Sequence, residues 1–309
     1  MSAMTPYALI LSVAFSPVSL SCLGAEDATP PIFTKGGGFT PDKVIPFKKT
    51  DGRPLELHVF YPDDFKKGEE RPGIVFFFGG GWKGGSPSQM YCQSAYLASR
   101  GMVAISAQYR TYSRYKAQPF TCVEDGKSAV RYVRQHAKEI GINPNKLAVG
   151  GGSAGGHVAA ATATVKDYDC EKDDLSISAI GNALVLFNPV YDNGPNGYGY
   201  DRVKDYYKKI SPIDNLDGKQ PPTIVFFGDR DKHIPVETAK LYERRMKENG
   251  NRCETHIYKG RKHGFFNLHK GKKEDFIDTV TEMDKFLVSL GFLSGEPHVV
   301  EWLNEQEKR

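Results

Sequence analysis

Lys146-Leu147-Ala148-Val149-Gly150-Gly151-Gly152-Ser153-Ala154-Gly155-Gly156-His157 passes from a short apolar run, through a glycine-dense corner holding one serine, into an alanine-rich run. Leu147, Ala148 and Val149 read as a buried strand, and 154–164 holds six alanines or valines suited to a helix packed on a sheet. At its centre, Gly151-Gly152-Ser153-Ala154-Gly155 fits the pattern glycine, any residue, serine, any residue, glycine. The strand-to-helix setting is what gives that pattern chemical meaning, because a serine on such a corner stands clear of the sheet. Free N–H groups in the first helical turn favour negative charge beside it. A plain glycine turn satisfies the same pattern, so Ser153 needs partners elsewhere in the chain. A phosphate loop is excluded, since no lysine followed by serine or threonine comes after these glycines.

Outward from this corner the chain reads as strands alternating with helices. Residues 74–78 and 103–107 are solid apolar runs, as central strands covered on both faces require. Residues 55–61 alternate like a strand near a sheet edge, and the runs from 180 or 183 to 187 and over 224–227 are further strands. Residues 254–258 read as a last, more exposed one. Helices are predicted from 121 or 124 to 137, over 236–248, and over 274–290 with apolar residues at helical spacing. This rhythm predicts an α/β fold, a mostly parallel central sheet with helices on both faces. One domain over 41–294 accounts for most of the 309 residues. The segment 191–209, with five tyrosines and three glycines, is a small insert of lid or pocket-wall length. Residues 295–309 form a tail.

Composition narrows the function classes. The net charge of +4 comes from 41 basic and 37 acidic residues scattered along the chain, which is a solvated surface and no nucleic-acid groove. Residues 7–23 are mostly apolar or small and precede Glu26-Asp27, so 1–25 reads as a signal peptide cleaved after Gly24 or Ala25, and the protein as exported, periplasmic or secreted. The alternatives are a retained N-terminal anchor or lipidation at Cys22. Residues 26–40, with Pro30-Pro31 and Gly36-Gly37-Gly38, read as a linker or arm. No later run approaches the roughly 18 apolar residues that a bilayer span needs. Cys92, Cys122, Cys170 and Cys253 allow up to two disulfides in an exported chain, or remain buried thiols; their spacing is not that of a zinc site.

A serine nucleophile needs a base, and the base needs an orienting acceptor. His263, in Gly260-Arg261-Lys262-His263-Gly264-Phe265, lies in a loop between the last strand and the last long helix, where an imidazole can reach over the strand ends. The acid should follow the strand 224–227, and both Asp229 and Asp231 stand there; spacing favours Asp231 only modestly. Phe78-Gly79-Gly80-Gly81-Trp82 follows a central strand and bares backbone N–H groups for an oxyanion, with the Ala154 N–H completing the set.

Taken together, these pieces resemble the α/β-hydrolase superfamily, and more narrowly its hormone-sensitive-lipase-like and acetyl-esterase-like serine hydrolases, including carbohydrate esterases. Gly79-Gly80-Gly81-Trp82, Gln108-Tyr109-Arg110, Gly152-Ser153-Ala154-Gly155-Gly156-His157, Gly228-Asp229-Arg230-Asp231-Lys232-His233-Ile234-Pro235 and Lys262-His263-Gly264-Phe265 carry the likeness, in the chain order serine, acid, histidine. The resemblance implies Ser153 as nucleophile, Asp231 rather than Asp229 as acid, and His263 as base. It also implies an oxyanion hole from the N–H groups of Gly80, Gly81 and Ala154, and no metal or organic cofactor. Hydrolysis of small-molecule or carbohydrate esters is the activity it implies, with short acyl groups such as acetyl; the alternatives are a lipase or serine peptidase of the same fold, or a non-catalytic binding protein that keeps the shape alone. Trp82 and Tyr109 are expected to line the substrate pocket. Two departures stand out: Phe78 occupies the place of the histidine that opens the family's glycine loop, and Gly152 the place of an acidic residue in many lipase-like relatives.

Overall fold

Alternate residues of the apolar runs face opposite ways, and this splits the interior into two layers. Val75 and Phe77 look into one, together with Val158, Ala239 and Tyr242. Ile74 and Phe76 look into the other, with Tyr96, Phe276 and Trp302. Between the layers runs an eight-stranded sheet. The computed structural model describes Met1 and residues 38–308. The signal peptide expected at 1–25 and nearly all of the arm expected at 26–40 lie outside the described residues.

The sheet is entered by β1 (Lys43–Lys48) and β2 (Leu55–Phe60), followed by β3 (Arg71–Phe77), α1 (Tyr91–Ser99) and β4 (Val103–Ala107). Next come α2 (Tyr112–Tyr115), α3 (Pro119–Gln135), α4 (Ala137–Ile140), β5 (Ile142–Gly152) and α5 (Ala154–Thr164). The chain continues through β6 (Ala183–Phe187), α6 (Tyr200–Val203), α7 (Tyr207–Ile210) and β7 (Thr223–Gly228). It closes with α8 (Val236–Glu248), β8 (Cys253–Tyr258), α9 (Lys273–Ser289) and α10 (Val299–Gln306). Strand order is β1-β2-β4-β3-β5-β6-β7-β8. β2 pairs antiparallel with β1 and β4, and every other pairing is parallel. The mostly parallel sheet with helices on both faces is the predicted α/β-hydrolase sandwich.

Composition explains the depth of each strand. β4, β6 and β7 are buried at every position, as parallel strands covered on both faces must be. β8 at the edge buries only Cys253; its remaining residues are half-buried, and Ile257 is exposed. Helix α5 is buried along its whole length, which its run of alanines and glycines allows by bringing the backbone close to the sheet. Helix α3 starts earlier than the periodicity suggested, with Pro119 in its first turn, a position where the missing N–H costs nothing.

Several open readings are decided among the described residues. The tail at 295–309 contains α10, whose Trp302 stacks on Phe39 at 5.4 Å and meets Tyr96 edge-on. Strand β1 and helix α1 went unread. Cys92, Cys122, Cys170 and Cys253 are all free thiols, so the described residues contain no disulfide. Burial pushes the Cys92 and Cys253 thiols up to about 12, which leaves them protonated and inert. Among the described residues no helix is long and apolar enough to cross a membrane.

Candidate active site

The carboxyl ends of β3, β5, β6, β7 and β8 open on one side, and the loops leaving them meet there. At the end of β5, Ser153 adopts φ +55° and ψ −120°, a strained pose for a residue with a side chain. Its N–H donates to the Phe187 carbonyl at 2.9 Å, and its carbonyl accepts from the His157 N–H at 2.9 Å. The corner is tight enough to require glycine on both sides. A Cβ at Gly155 would meet the carbonyls of Phe77 and Phe78, and one at Gly152 would enter the Phe266 ring.

His263 arrives from the loop after β8. Its Nε2 lies 2.9 Å from Ser153 Oγ, and its Nδ1 lies 2.6 Å from Asp231 Oδ2. Those partners assign the tautomer: Nδ1–H donates to the carboxylate, and Nε2 accepts from the serine hydroxyl. The Asp231 side chain is fully buried, and its other oxygen accepts from the N–H groups of His233 at 2.8 Å and Ile234 at 3.1 Å. A carboxylate held by two backbone donors and one imidazole has little freedom to turn away. Asp229, the rival that spacing left open, faces outward, and its Oδ1 accepts from the Gly260 N–H at 2.6 Å. Asn188, at the end of β6, was not singled out by its sequence. Its Oδ1 accepts from the Gly264 N–H at 3.0 Å and so holds the residue after the imidazole. Its place at the carboxyl end of a central strand was the available signal.

The glycine loop lies opposite. Gly80 and Gly81 have φ of +138° and +62°. Among the described residues no backbone carbonyl accepts from either N–H. The Ala154 N–H, at the first position of α5, has no intrahelical acceptor. The loop is held from behind at four points. Gln89 Oε1 accepts from the Gly79 N–H. The Gly80 carbonyl accepts from Lys83 and Gly84. Arg202 Nη1 donates to the Gly81 carbonyl at 2.6 Å. Tyr109 Oη donates to the Phe78 carbonyl at 2.7 Å, while its ring stacks on Phe78 at 4.3 Å. Phe78 thus replaces the family's histidine by ring stacking.

Trp82 and Tyr109 do not line the pocket, contrary to expectation. They are 1% and 2% exposed and brace the loop from beneath. Trp82 has φ +58°, which turns its indole inward, where Nε1–H donates to His157 Nδ1 at 3.3 Å. His157 Nε2–H in turn donates to the Ile210 carbonyl at 3.0 Å. Full burial drives the His157 imidazole down to about 4, so it stays neutral and can make both bonds at once.

The cavity above Ser153 has a volume of about 330 Å³ and is walled by Ser86, Gln89, Tyr198, His233, Asn267 and Lys270 among others. Of the five tyrosines in 191–209, Tyr198 lines it; Tyr191 is buried against Tyr242 at 3.7 Å. Among the described residues no group of three or more His, Cys, Asp or Glu is placed to hold a metal ion.

Comparison with known proteins gives the family. A family profile described as BD-FAE matches residues 57–184, and one described as the Dienelactone hydrolase family matches residues 189–286. Among solved structures, Thermogutta terrifontis esterase 2 phosphorylated by paraoxon is 43% identical with a TM-score of 0.78, covering 82% of this chain and 96% of that one. Among curated proteins, esterase LipC of Mycobacterium tuberculosis is 29% identical over 197 residues, 57% of this chain and 48% of its own length. An acetylxylan esterase of Xylanibacter ruminicola is 28% identical over 190 residues, 57% of this chain and 37% of its own length. The chain spans about half the length of the curated relatives it matches, or less.

Proposed function

The chain belongs to the α/β-hydrolase superfamily, among its esterase-like serine hydrolases, and from that premise we propose that it hydrolyses short-acyl carboxylic esters through a covalent acyl-enzyme. One observation carries the reading: a strained, pocket-facing Ser153 hydroxyl lies 2.9 Å from an imidazole whose far nitrogen lies 2.6 Å from a buried carboxylate. Ser153 Oγ attacks the ester carbonyl as His263 Nε2 takes its proton. Asp231 fixes the imidazole tautomer and stabilises the imidazolium that forms. The electron pair displaced onto the carbonyl oxygen is met by the N–H groups of Gly80, Gly81 and Ala154, fixed donors that need no reorganisation. His263 then gives its proton to the leaving alcohol, and in the second half it activates the water that releases the acid.

Acyl size and alcohol are part of the same proposal. A cavity of about 330 Å³ suits a small acyl group better than a long chain. The similar Thermogutta esterase has been solved with propionate and with butyrate bound. Polar walls from Ser86, Gln89 and Asn267 suit an alcohol rich in hydroxyls, and an acetylxylan esterase is among the relatives, so acetylated carbohydrates are the proposed natural class. Export belongs to the proposal too, supported by the apolar run 7–23 ahead of Glu26-Asp27.

The test is an active-site-directed fluorophosphonate probe, followed by turnover on acetyl, butyryl and octanoyl esters and on acetylated sugars read by mass spectrometry. Labelling and turnover by the wild type, both lost in Ser153→Ala, are expected, with rates falling as the acyl chain lengthens. A well-folded wild type that neither labels nor turns over any ester would sink the enzyme reading in favour of a binding protein. Faster turnover of octanoyl than acetyl esters would overturn the short-acyl assignment alone.

A further inference from the structure

Among the tyrosines of the insert, most are engaged with their own surroundings. Tyr191 stacks on Tyr242, Tyr206 packs on Phe120 and Tyr168, and Tyr200 meets Tyr207 edge-on. Tyr198 differs in facing the cavity that contains Ser153. Its backbone is fixed, with N–H donating to the Asp192 carbonyl at 3.2 Å and its own carbonyl accepting from Asn193 Nδ2 at 3.0 Å. Its hydroxyl has no hydrogen-bond partner among the described residues.

That hydroxyl points at the glycine loop. A Cβ built on Gly81 would lie 2.7 Å from Tyr198 Oη, with the ring carbons Cζ and Cε1 behind it at 3.7 and 3.9 Å. The oxygen leads, the ring follows, and the only side chain that Gly81 tolerates is none. Gly81 is also the residue whose N–H is assigned to the oxyanion hole, so the phenol stands against the residue that carries that donor, and both line the cavity that contains Ser153. Arg202 ties the two together. Its guanidinium lies over the Tyr198 ring at 5.7 Å and the Trp82 ring at 5.0 Å while Nη1 holds the Gly81 carbonyl at 2.6 Å. The Tyr198 ring leans on Trp82 at 5.6 Å. A donor locked to the loop in this way keeps its aim between turnovers.

We infer that Tyr198 is a further catalytic residue, whose hydroxyl donates a hydrogen bond to the oxyanion formed when Ser153 attacks the ester. The inference rests on the acyl-enzyme reading above. The Ser153 Oγ–carbon bond forms, the carbonyl π pair moves onto oxygen, and His263 takes the serine proton; the phenol keeps its own proton throughout. A donor that strengthens only as charge develops acts on the transition state and leaves ground-state binding nearly unchanged.

Tyr198→Phe removes the one oxygen and keeps the ring. On an acetyl ester it should lower kcat by roughly 10- to 100-fold, with KM moving far less, as for loss of one donor among several. Inhibition by an aryl trifluoromethyl ketone, which forms a tetrahedral oxyanion on serine, should weaken by the same factor as kcat/KM. Replacing Tyr198 by 3,5-difluorotyrosine, which keeps shape and fold, should make the rate fall at alkaline pH as the acidified phenol loses its proton. A ring that only walls the pocket would give none of these effects. Tyr198→Phe with kcat within about twofold of an active wild type, or a difluorotyrosine enzyme with an unaltered pH profile, overturns the inference and leaves the acyl-enzyme reading standing. A wild type without Ser153-dependent turnover overturns both.

Discussion

His157 sits beneath the nucleophile without touching substrate, and its protonation state is built into the loop above it. The imidazole accepts from Trp82 Nε1–H and donates to the Ile210 carbonyl, so it serves only while neutral. Its folded value of about 4 lies below the usual 6.5, because burial penalises the cation. The unfolded chain therefore binds this proton first as pH falls. Stability from the neutral form is complete above about 6.5 and declines as pH drops to about 4, by a total on the order of 3 kcal/mol. His157→Gln keeps a donor and an acceptor but has nothing to titrate. Urea unfolding at pH 7 and pH 4.5 should show a larger stability loss in the wild type than in that variant; equal losses would contradict the assignment. The contrast with Asp229 and Asp231 marks how far single residues are legible. Both leave β7 within three positions, and spacing leans only modestly toward Asp231, the carboxylate that turns inward to His263 while Asp229 turns out to Gly260. Trp82 and Tyr109 misled for a related reason. Aromatic residues beside a catalytic loop read as pocket lining, whereas a positive φ at Trp82 sends its ring into the core.

Elements were legible where their burial was periodic or complete. The runs that became β3, β4, β6 and β7 are mostly apolar, and α9 carries a clear apolar stripe. Helix α1 had no such contrast: serine, glutamine and cysteine alternate with aromatics, yet nearly all its residues are buried. Strand β1 carries lysine at both ends and a mid-strand proline on an edge, where proline is tolerated. The β5–α5 corner was legible as a motif, but the reason for Gly152 was not. Relatives with an acid there need room, and here the Phe266 ring, stacked on Phe187 at 4.7 Å, fills it. Gly152→Ala should therefore destabilise the fold by about 1–3 kcal/mol through overpacking. Phe266→Leu alone should also destabilise, but the double variant should recover part of the Gly152→Ala loss, a coupling of about 1 kcal/mol in a double-mutant cycle. Simple additivity in denaturant unfolding would show that the ring does not govern the choice of glycine.

At the scale of the whole molecule, the sheet separates a functional rim from a structural face. Five strand ends deliver the glycine loop, Ser153, Asn188, Asp231 and His263 to one edge, as open α/β sheets do for their ligands. Helix α10 closes a different part of the fold. Trp302, 4% exposed, stacks on Phe39 and meets Tyr96, whose hydroxyl donates to Asp284. Arg100 holds the same buried carboxylate at 2.6 Å and reaches on to the Ser294 carbonyl at 2.9 Å, so the last helix is held by packing while charge ties α1, α9 and the segment that leads into it. None of Trp302, Tyr96 or Arg100 lines the cavity above Ser153. Trp302→Ala should therefore cost about 3–5 kcal/mol, as for other large buried rings, and lower the melting temperature on the order of 10 °C. Ester turnover at 25 °C should stay within about twofold of wild type, because the strand ends that carry the chemistry keep their pairings. Calorimetry paired with initial rates decides the matter. A fall in kcat at a temperature where the variant is fully folded would mean that the packing of α10 helps set the catalytic geometry, and the division between rim and face would fail.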